Sequence, residues 1–382
     1  MEDLSSVRAE IDSIDKGIVE LFEQRMECAD KVGAYKAAHN LPILDRGRER
    51  QHLSDIAQSV PDDLRTYTEV LFQLLMEASR ERQGAKQPNE EGASDLAAID
   101  AAVASTPELF PRDAYVACQG VEGAYSQFAA ERIFKHPNIS YFESFEAVFR
   151  AVETGFSRYG VLPIENSTAG SVNKVYDLMM EHNFHVVRTT RVKIDHNLLG
   201  KPGAKAEDIR EVYSHEQAIN QCAEFLERRG IKTHVCENTA MAAKLVAQSD
   251  RTDIGALSSR ACAQLYGLSV LMRDVQDRDD NYTRFACISK DLEIYPGANR
   301  TSLMIVVNHE PGALYRVLSK FYVLDINIIK LESRPIPGRD FEFMFYFDID
   351  CPVAAPEFRT LMASIGDACE EYRYLGSYTE AV

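Results

Sequence analysis

The stretch Asp279-Asp-Asn-Tyr-Thr-Arg-Phe285 places a hydroxyl, a guanidinium and a phenol side by side at the start of an apolar run. A run such as Phe285-Ala-Cys-Ile288 is typical of a short buried strand, so the residues before it should lie at a strand edge that faces a cleft. The stretch holds no standard nucleophile with a base beside it. Thr283 next to Arg284 instead suits proton donation to a leaving group while an anion is held close by. Taken alone, a threonine in this place more often does no more than open a strand.

Further polar turns follow other short apolar runs in the middle of the chain. A glycine-rich turn at 120–126 follows a predicted strand at 114–118 and enters a helix, so free amide groups and a positive helix end suit a carboxylate there. Open α/β sheets build their ligand sites at turns of this kind. Three other predicted strands also end in polar residues: 159–164, 212–213 and 253–257.

The residues before this region predict an all-α domain. From Asp3 to about His39, apolar residues recur with a helical period, and no proline appears before Pro42. Such a helix would be about 50 Å long at about 1.5 Å per residue. Because so long an amphipathic helix cannot bury its apolar stripe alone, an intertwined homodimer is predicted. Two shorter helices are expected at 43–59 and 62–83.

Charged and polar side chains recur at helical spacings within residues 1–85. Arg8, Arg25 and Lys36 are 17 and 11 residues apart, about 4.7 and 3.1 turns, so they lie within an arc of about 100° and can project from one side of the long helix. A solvated surface position is the commoner explanation for any single arginine. The second and third helices add further candidates: Asp45, Arg48, Glu49, Ser79 and Gln83.

Size, charge and spacing exclude several classes of protein. The chain has 382 residues and a formal net charge of -17, which argues against non-specific binding to nucleic acid or anionic membranes. Its apolar runs are too short to span a bilayer, and Met1-Glu-Asp does not begin a secretion signal, so a cytoplasmic location is expected. The eight cysteines include no C-x-x-C pair, which favours buried thiols in a reducing compartment. Zinc-ligand spacings are also missing, so no metal site is predicted.

Composition indicates a connector and a small C-terminal module. Residues 86–112 are rich in Ala, Glu, Gln and Pro, so a mostly mobile linker is expected, with a short helix over 96–103. The C-terminal elements follow the order βαββαβ, which is that of a ferredoxin-like fold. Its predicted strands lie at 301–307, 327–333, 341–349 and near 372, and its predicted helices begin at 311 and cover 355–369.

The helical region resembles the all-helical chorismate mutases over its whole length. The resemblance is carried by R-x-E-I-D-x-I-D from Arg8, L-F-E-Q-R ending at Arg25, V-G-A-Y-K ending at Lys36 and P-I-L-D-R-G-R-E ending at Glu49. Chorismate is a dicarboxylate that rearranges by an intramolecular [3,3] shift. The shift needs no acid, base or nucleophile, so a protein helps by folding the substrate and stabilising charge on the breaking ether oxygen.

The resemblance also implies a role for each candidate. Lys36 and Gln83 would donate hydrogen bonds to the ether oxygen, and the amide of Gln83 can donate at any pH. Three arginines would hold the two carboxylates: Arg8 (from a partner subunit), Arg25 and Arg48. Glu49 and Asp45 would bind the ring hydroxyl and orient neighbouring groups, and Ser79 would support a carboxylate.

The middle of the chain, from about 113 to 292, resembles the prephenate dehydratases, whose most diagnostic motif is matched by Tyr282-Thr-Arg-Phe285. The resemblance implies two α/β lobes around a cleft, arranged like a type 2 periplasmic binding protein. Prephenate must lose its ring hydroxyl and a carboxylate as carbon dioxide, which calls for a donor and carboxylate clamps without a cofactor. The donor would be Thr283. Lobe one would comprise 113–190 and 270–292, and lobe two 191–269.

The same resemblance places six residues around prephenate. They are Ser126, Asn166, Ser167, Ser214, Gln217 and Arg284. His215 is interpreted as a structural histidine and is left out of catalysis.

Residues 299–382 resemble an ACT domain, a regulatory module that binds amino acids where two copies meet. Gly312-Ala-Leu314 and Glu332-Ser-Arg-Pro335 match the two motifs that dehydratases use for phenylalanine, while Tyr315 departs from the usual Val. The resemblance implies a phenylalanine site that contains Gly312, Ala313, Leu314, Asn327, Glu332 and Ser333.

The chain as a whole therefore resembles the bifunctional chorismate mutase–prephenate dehydratases. The predicted fold is multidomain: an all-α domain (1–85), a linker (86–112), a two-lobed α/β domain (113–292) and an α+β ferredoxin-like domain (299–382). A fusion to a dehydrogenase is opposed by the absence of G-x-G, and a solute receptor by the absence of an export signal. A phenylalanine-sensing regulatory protein with inactive catalytic domains is opposed by the retained charged positions and by Thr283.

Overall fold

The computed structural model describes residues 3–39, 41–43, 45–85, 90–339 and 342–381. Residues 86–89 of the predicted linker, and residue 341 at the start of a predicted strand, lie outside that range. The chain forms two compact units. One comprises Met1–Ala98, Val307–Asp325 and Ala354–Tyr372; the other comprises Ile99–Val306, Ile326–Val353 and Arg373–Val382. The residues predicted to form one C-terminal domain are therefore divided between the two units. Its strands lie almost wholly in the second unit, and its helices lie in the first.

The helices are α1 (Leu4–Ala38), α2 (Arg46–Gln58), α3 (Arg65–Ala85), α4 (Glu90–Ser105), α5 (Tyr125–Ile133), α6 (Phe145–Glu153), α7 (Asn173–Glu181), α8 (Glu216–Asn220), α9 (Ala223–Arg229), α10 (Thr239–Gln248), α11 (Arg260–Tyr266), α12 (Ala313–Val323) and α13 (Pro356–Ser364), followed by a 3₁₀-helix at Ile365–Ala368. Among the described residues, none of these helices is long and apolar enough to cross a membrane.

The strands are β1 (Asp113–Gln119), β2 (His136–Phe142), β3 (Tyr159–Asn166), β4 (Gly170–Ser171), β5 (His185–Lys193), β6 (Asn197–Gly200), β7 (Glu211–Ser214), β8 (Lys232–Val235), β9 (Ile254–Ser258), β10 (Ser269–Met272), β11 (Tyr282–Ser289), β12 (Arg300–Val306), β13 (Asn327–Pro335), β14 (Phe343–Asp350), β15 (Glu371–Tyr378) and β16 (Glu380–Ala381).

Most of the apolar side chains of α1 are exposed within one chain. Of its 35 residues, Met26 and Ala29 are buried, while Ile14 is 56% exposed and Leu21 is 66% exposed. Helix α3 packs along α1 and also contacts α2. The predicted helical region at the start of the chain is confirmed, with α1 within one residue of its predicted ends at both sides.

The connector is more ordered than its composition suggested. Helix α4 is 16 residues long and extends beyond the predicted 96–103, because Ala, Glu and Leu are good helix formers. Beyond the helix, the ring of Phe110 lies 5.2 Å from that of Phe134 and 4.7 Å from that of Tyr295. The Thr106 hydroxyl accepts a hydrogen bond from the Ile294 amide. This second half of the predicted linker is therefore docked on the second unit.

Two sheets form the α/β part of the second unit. The seven-stranded sheet has the order β16-β5-β11-β3-β1-β2, with β4 paired to β3, and the five-stranded sheet has the order β10-β6-β9-β7-β8. The chain passes from the first sheet to the second between Lys193 and Asn197, and returns between Met272 and Tyr282. The sequence placed these crossings near 190 and near 270.

The third sheet has four strands in the order β13-β14-β12-β15, which is the strand order of a ferredoxin-like βαββαβ fold. Its apolar side chains, such as Met304 and Tyr346, belong to the same core cluster as Val186 of the seven-stranded sheet. The last strand, β16, leaves this module and pairs with β5 in the seven-stranded sheet. The C-terminal strands are therefore joined to the α/β part by a shared core and a shared sheet.

Candidate active sites

In the first unit, α1 and α3 bring Arg25 and Ser79 together. Nη1 of the half-buried Arg25 donates to the Leu75 carbonyl at 2.6 Å and to the Ser79 hydroxyl. That hydroxyl in turn donates to the Leu75 carbonyl, at 2.7 Å. Two of the predicted chorismate residues thus share one hydrogen-bonded cluster between these helices.

Lys36 and Gln83 lie where the same two helices approach closely. A Cβ added at Gly33 would lie 3.0 Å from Gln83 Cγ, so a side chain at position 33 would displace Gln83. Lys36, almost one turn further along α1, donates from Nζ to the Ile43 carbonyl at 2.6 Å. The buried Oε1 of Gln83 has no hydrogen-bond partner within the described part of the chain. A buried amide oxygen left in that state costs about 1–3 kcal/mol, so this end of the helices is suited to a polar ligand.

Helix α2 presents the remaining acidic candidates. Asp45 caps the helix, since its side chain accepts from the Arg48 amide at 3.0 Å, while the Arg48 side chain itself is exposed. Glu49 is engaged by a residue that the sequence reasoning did not select: Arg80 Nη1 lies 2.6 Å from Glu49 Oε1. Glu49 is therefore already paired with Arg80 in the structure, and it would bind the ring hydroxyl of chorismate as a member of that ion pair.

One chain does not bring Arg8 to the other candidates. Arg8 is exposed near the start of α1, and Lys36 lies 28 positions further along the same unbroken helix. At about 1.5 Å per residue, the separation is about 42 Å.

In the second unit, a cavity of about 310 Å³ opens between the seven-stranded and five-stranded sheets. Thr283, the first candidate donor, is 9% exposed and lines it. Three other predicted residues line the same cavity, as do several polar residues outside the prediction. They are Ser126, Asn166 and Gln217, with Gln119, His196, His215, Gln221, Asn238 and Thr239.

The hydrogen bonds of Asn166 show that the Thr283 hydroxyl accepts from its amide group, which leaves the hydroxyl proton free for another partner. Asn166 Oδ1 accepts from the amides of Thr168 (3.1 Å) and Ala169 (2.9 Å), so the other terminal atom must be the NH₂ group. That group donates to Thr283 Oγ1 at 2.9 Å. Gln217 Nε2 also donates to Asn166 Oδ1, at 3.3 Å. Because Oγ1 of Thr283 is the acceptor of this bond, its own proton remains available for a group in the cavity.

A bulge in β3 makes this pairing of Asn166 with Thr283 possible. Thr283 is opposite Asn166 and Arg284 is opposite Glu165, yet Phe285 is opposite Pro163, so one residue of β3 is left over. Proline has no amide to donate to the ladder, and bulges accommodate it. Because of this extra residue, Asn166 lies on the cavity face of the sheet together with Pro163, and Glu165 lies on the opposite face.

The structure does not bring Arg284 into the cavity that Thr283 lines, where the sequence prediction had expected it; Arg284 lines a separate cavity together with Ser167. Successive side chains of a strand point to opposite faces, so Arg284 points away from the cavity that Thr283 lines. Its side chain is 6% exposed, and Nη1 lies 2.5 Å from Asp348 Oδ2 on β14. Burial alone lowers the pKa of Arg284, but the carboxylate of Asp348 outweighs burial and raises it. Arg284 is therefore a permanently charged member of a buried ion pair.

Two of the predicted serines also lie elsewhere. The Ser214 hydroxyl is fully buried and donates to the Leu257 carbonyl at 2.7 Å, so it joins β7 to β9 instead of facing the cavity. The Ser167 hydroxyl donates to the Asp280 carbonyl at 2.7 Å and lines a separate cavity beside Arg284. Ser126 does line the Thr283 cavity, although its hydroxyl donates to the Gln119 carbonyl.

The sequence reasoning missed a polar network behind Asn166. Gln221 Nε2 donates to the Thr168 hydroxyl at 2.7 Å, so Gln221 Oε1 is the acceptor for His196 Nε2 and Asn281 Nδ2, both at 2.9 Å. Burial lowers the pKa of His196, which keeps its ring neutral. A signal for His196 was its place two residues before the apolar run 198–199, in the polar pair His196-Asn197. His215 caps α8, since its Nδ1 accepts from the Gln217 amide, which agrees with its interpretation as structural.

The cavity offers an anion two helix N-termini but no Lys or Arg side chain. None of its lining residues, all of which are described, is Asp, Glu, Lys or Arg. The lining includes the N-terminal residues of α5 and α10, two helices of 9 and 10 residues. Free amides and the helix dipole make such ends favourable for carboxylates.

The predicted phenylalanine residues fall in two groups. In the first unit, Gly312 has a positive φ of 80° and precedes α12, whose first two residues are Ala313 and Leu314. In the second unit, Asn327, Glu332 and Ser333 lie on β13. Asn327 and Ser333 are exposed, whereas Glu332 accepts a hydrogen bond from Ser171.

Comparison with known proteins finds similarity in both catalytic regions. The family model described as "Chorismate mutase type II" matches residues 7–84, and the one described as "Prephenate dehydratase" matches residues 116–293. A bifunctional chorismate mutase/prephenate dehydratase of Aquifex aeolicus is 30% identical over 100% of this chain and 99% of its own length.

Two further relatives cover the second region. An arogenate dehydratase/prephenate dehydratase of Arabidopsis thaliana is 37% identical over 69% of this chain and 72% of its own. The solved structure of a prephenate dehydratase from Arthrobacter aurescens, in complex with L-Phe, is 25% identical and superposes with a TM-score of 0.65, covering 70% of this chain and 90% of that one.

Proposed function

Because the chain belongs to the family of bifunctional chorismate mutase/prephenate dehydratases, we propose that it converts chorismate to prephenate and prephenate to phenylpyruvate, in phenylalanine biosynthesis, with feedback inhibition by phenylalanine. The observation that carries the second reaction is the Thr283 hydroxyl, whose proton is free to point into the cavity. Incubating the purified protein with chorismate and with prephenate, in separate reactions, tests both steps. A regulatory protein without activity would consume neither compound.

Dehydration of prephenate requires departure of the ring hydroxyl together with loss of a carboxylate. The electron pair of the breaking carbon–carbon bond enters the ring, carbon dioxide leaves, and the hydroxyl departs as water after gaining a proton. The Thr283 hydroxyl donates to the departing oxygen, and Asn166 holds Oγ1 in place by donating to it. The helix ends of α5 and α10 receive the carboxylates in place of the guanidinium that Arg284 was expected to supply.

Rearrangement of chorismate needs a folded substrate and stabilisation of the ether oxygen. Arg25, supported by Ser79, holds one carboxylate, and the exposed Arg48 reaches the other. Lys36 and Gln83 donate to the ether oxygen from the adjoining end of α1 and α3. Donors fixed in advance lower the barrier because they need not reorganise as charge develops.

A second copy of the chain completes this site. The apolar side chains of α1 that stay exposed in one chain need a cover, and an antiparallel partner helix supplies it. It also carries its own Arg8 across the roughly 42 Å that separate Arg8 from Lys36 along one helix. The active form is thus a homodimer or a higher homo-oligomer with two mutase sites per helix pair.

Mixing two inactive variants tests the shared site. Arg8→Ala chains and Lys36→Ala chains should each have little mutase activity, because each lacks one essential group at every site. After co-refolding, about one quarter of the sites would combine an intact Arg8 with an intact Lys36, so about one quarter of the parent activity should return. The measurement is the rate of chorismate consumption before and after mixing. Failure to recover any activity, although mixed dimers form, would contradict the shared site.

Phenylalanine regulation rests on the C-terminal strands and helices. Their βαββαβ order and four-stranded sheet are those expected for an ACT domain, and the Arthrobacter relative is a complex with L-Phe. Gly312 lets the backbone approach a ligand carboxylate, and the amides that begin α12 can bind it.

A matched pair of glycine variants tests this site. Gly312 and Gly338 have φ values of 80° and 78°, and a Cβ added at either would meet no atom within 4 Å. Alanine at either position should therefore cost a similar conformational energy, about 1 kcal/mol. Calorimetry should show phenylalanine binding to the parent and to Gly338→Ala, and binding at least about tenfold weaker for Gly312→Ala. Equal binding by both variants would remove Gly312 from the site.

A further inference from the structure

The strands that carry Asn166 and Thr283 have a second face, away from the cavity. Because of the bulge, Glu165 lies on that face and is opposite Arg284 in the ladder. Glu165 also pairs with Ser171 across the short β3–β4 hairpin, directly beside the pair formed by Asn166 and residue 170. A group that binds both Glu165 and Ser171 therefore fixes the hairpin from which Asn166 reaches Thr283.

Lys330 of β13 is such a group. Its Nζ lies 2.8 Å from Glu165 Oε1 and 2.8 Å from Ser171 Oγ. Its side chain is 9% exposed, and Nζ lies 5.7 Å from the centre of the Tyr176 ring. A buried ammonium is stable where its partners are held in good geometry, so Lys330 restricts Glu165 and Ser171 to one arrangement.

We propose that Lys330 is a positioning residue for the dehydration reaction, which acts through Glu165 and Ser171 to hold Asn166 against Thr283. Without this support the hairpin can shift, and Asn166 no longer fixes the Thr283 hydroxyl as a donor toward the substrate. Displacements of about 1 Å in a catalytic group can cost about 100-fold in rate. The inference rests on the proposed dehydratase function, and it adds a residue that lies outside the cavity.

The same bridge joins the reaction to the predicted phenylalanine residues. The Ser171 hydroxyl donates to Glu332 Oε2, and Lys330 Nζ lies 3.8 Å from that oxygen. A ligand that draws Glu332 away from Ser171 acts on the hairpin directly, and it leaves Glu165 and Ser171 as the remaining partners of Lys330.

Arg334 provides a matched control on the same strand. It lies four positions from Lys330, is 20% exposed, and makes two hydrogen bonds to Asp177 of α7, at 2.8 and 3.1 Å. Arg334 also ties β13 to the α/β part of the second unit, but it touches neither Glu165 nor Ser171 in any contact the structure gives. Loss of Arg334 should loosen the strand without moving Asn166.

The experiment compares Lys330→Met with Arg334→Met in the full chain. Steady-state dehydration of prephenate, thermal unfolding and mutase activity are measured for each protein. Lys330→Met should lower kcat for dehydration by about tenfold or more with a smaller change in KM. Arg334→Met should stay within about twofold of the parent at a similar loss of stability. Lys330→Arg should recover part of kcat, and Glu165→Gln, which weakens the same bridge from the other side, should lower it.

The outcomes separate this inference from the function on which it rests. A parent protein that does not dehydrate prephenate contradicts the proposed function itself. An active parent with an equally active Lys330→Met contradicts the positioning role, and so does an Arg334→Met that loses as much kcat as Lys330→Met. Should Lys330→Met fail to fold, Glu165→Gln decides: unchanged kcat overturns the proposal, and reduced kcat with retained stability supports it.

Discussion

Thr283→Val should lower kcat for prephenate dehydration by at least about 100-fold, as expected for loss of a positioned proton donor. Valine keeps the branched shape of threonine and suits a strand, so folding should survive. Asn166 Nδ2 loses its acceptor at Thr283 Oγ1, but it retains Asn281 Oδ1 at 2.8 Å, so the variant leaves no buried donor wholly unpaired. The rate of phenylpyruvate formation from prephenate is the measurement.

Two companion variants make this expectation specific. Thr283→Ser keeps the hydroxyl and should retain part of the activity. Thr190→Val removes a buried threonine hydroxyl from the neighbouring strand β5, where it donates to the Ala381 carbonyl at 2.9 Å. Its effect on kcat should stay within about twofold, because that hydroxyl lies outside the cavity. If Thr283→Val made phenylpyruvate at the parent rate, Thr283 would have no part in the mechanism.

Lys36→Ala should lower kcat/KM for chorismate by at least about 100-fold, which is the usual cost of removing one preorganised donor. The Gln83 amide remains buried beside Gly33, so the helices should stay packed. Lys31→Ala is the matched control, since Lys31 is an exposed lysine of the same helix. It should leave the mutase activity unchanged.

The dehydratase activity of Lys36→Ala serves as an internal reference. Lys36 belongs to the first compact unit and Thr283 to the second, so dehydration of added prephenate should continue at nearly the parent rate. A loss of both activities in a folded variant would contradict two separate sites.

The sequence predicted the elements well where a pattern is local. The helical period of α1 predicted both ends within one residue, because a long amphipathic pattern leaves little freedom in its bounds. Thr283, Asn166 and Gln217 were predicted from the resemblance to the prephenate dehydratases, and all three belong to polar stretches beside short apolar strands, where open α/β sheets build their ligand sites. The structure brings these three side chains together.

The errors concern features that depend on distant residues. The orientation of Arg284 follows from strand alternation, but its burial requires the carboxylate of Asp348, 64 positions later. The register of β3 depends on a bulge. Pro163 makes a bulge favourable in this strand, but it does not determine at which residue the bulge occurs. The docking of Phe110 likewise depends on three partners that are far apart in the sequence: Phe134, Tyr159 and Tyr295. Local composition describes none of these contacts.

Supplying chorismate as the sole substrate to three proteins is the most direct test of the central claim. The parent should convert chorismate to phenylpyruvate, Thr283→Val should accumulate prephenate, and Lys36→Ala should leave chorismate unconsumed. An equal mixture of the two variants should again make phenylpyruvate, since each supplies the step that the other lacks. Phenylpyruvate from chorismate in both variants, or no conversion by the parent, would contradict the account of two catalytic sites in one chain.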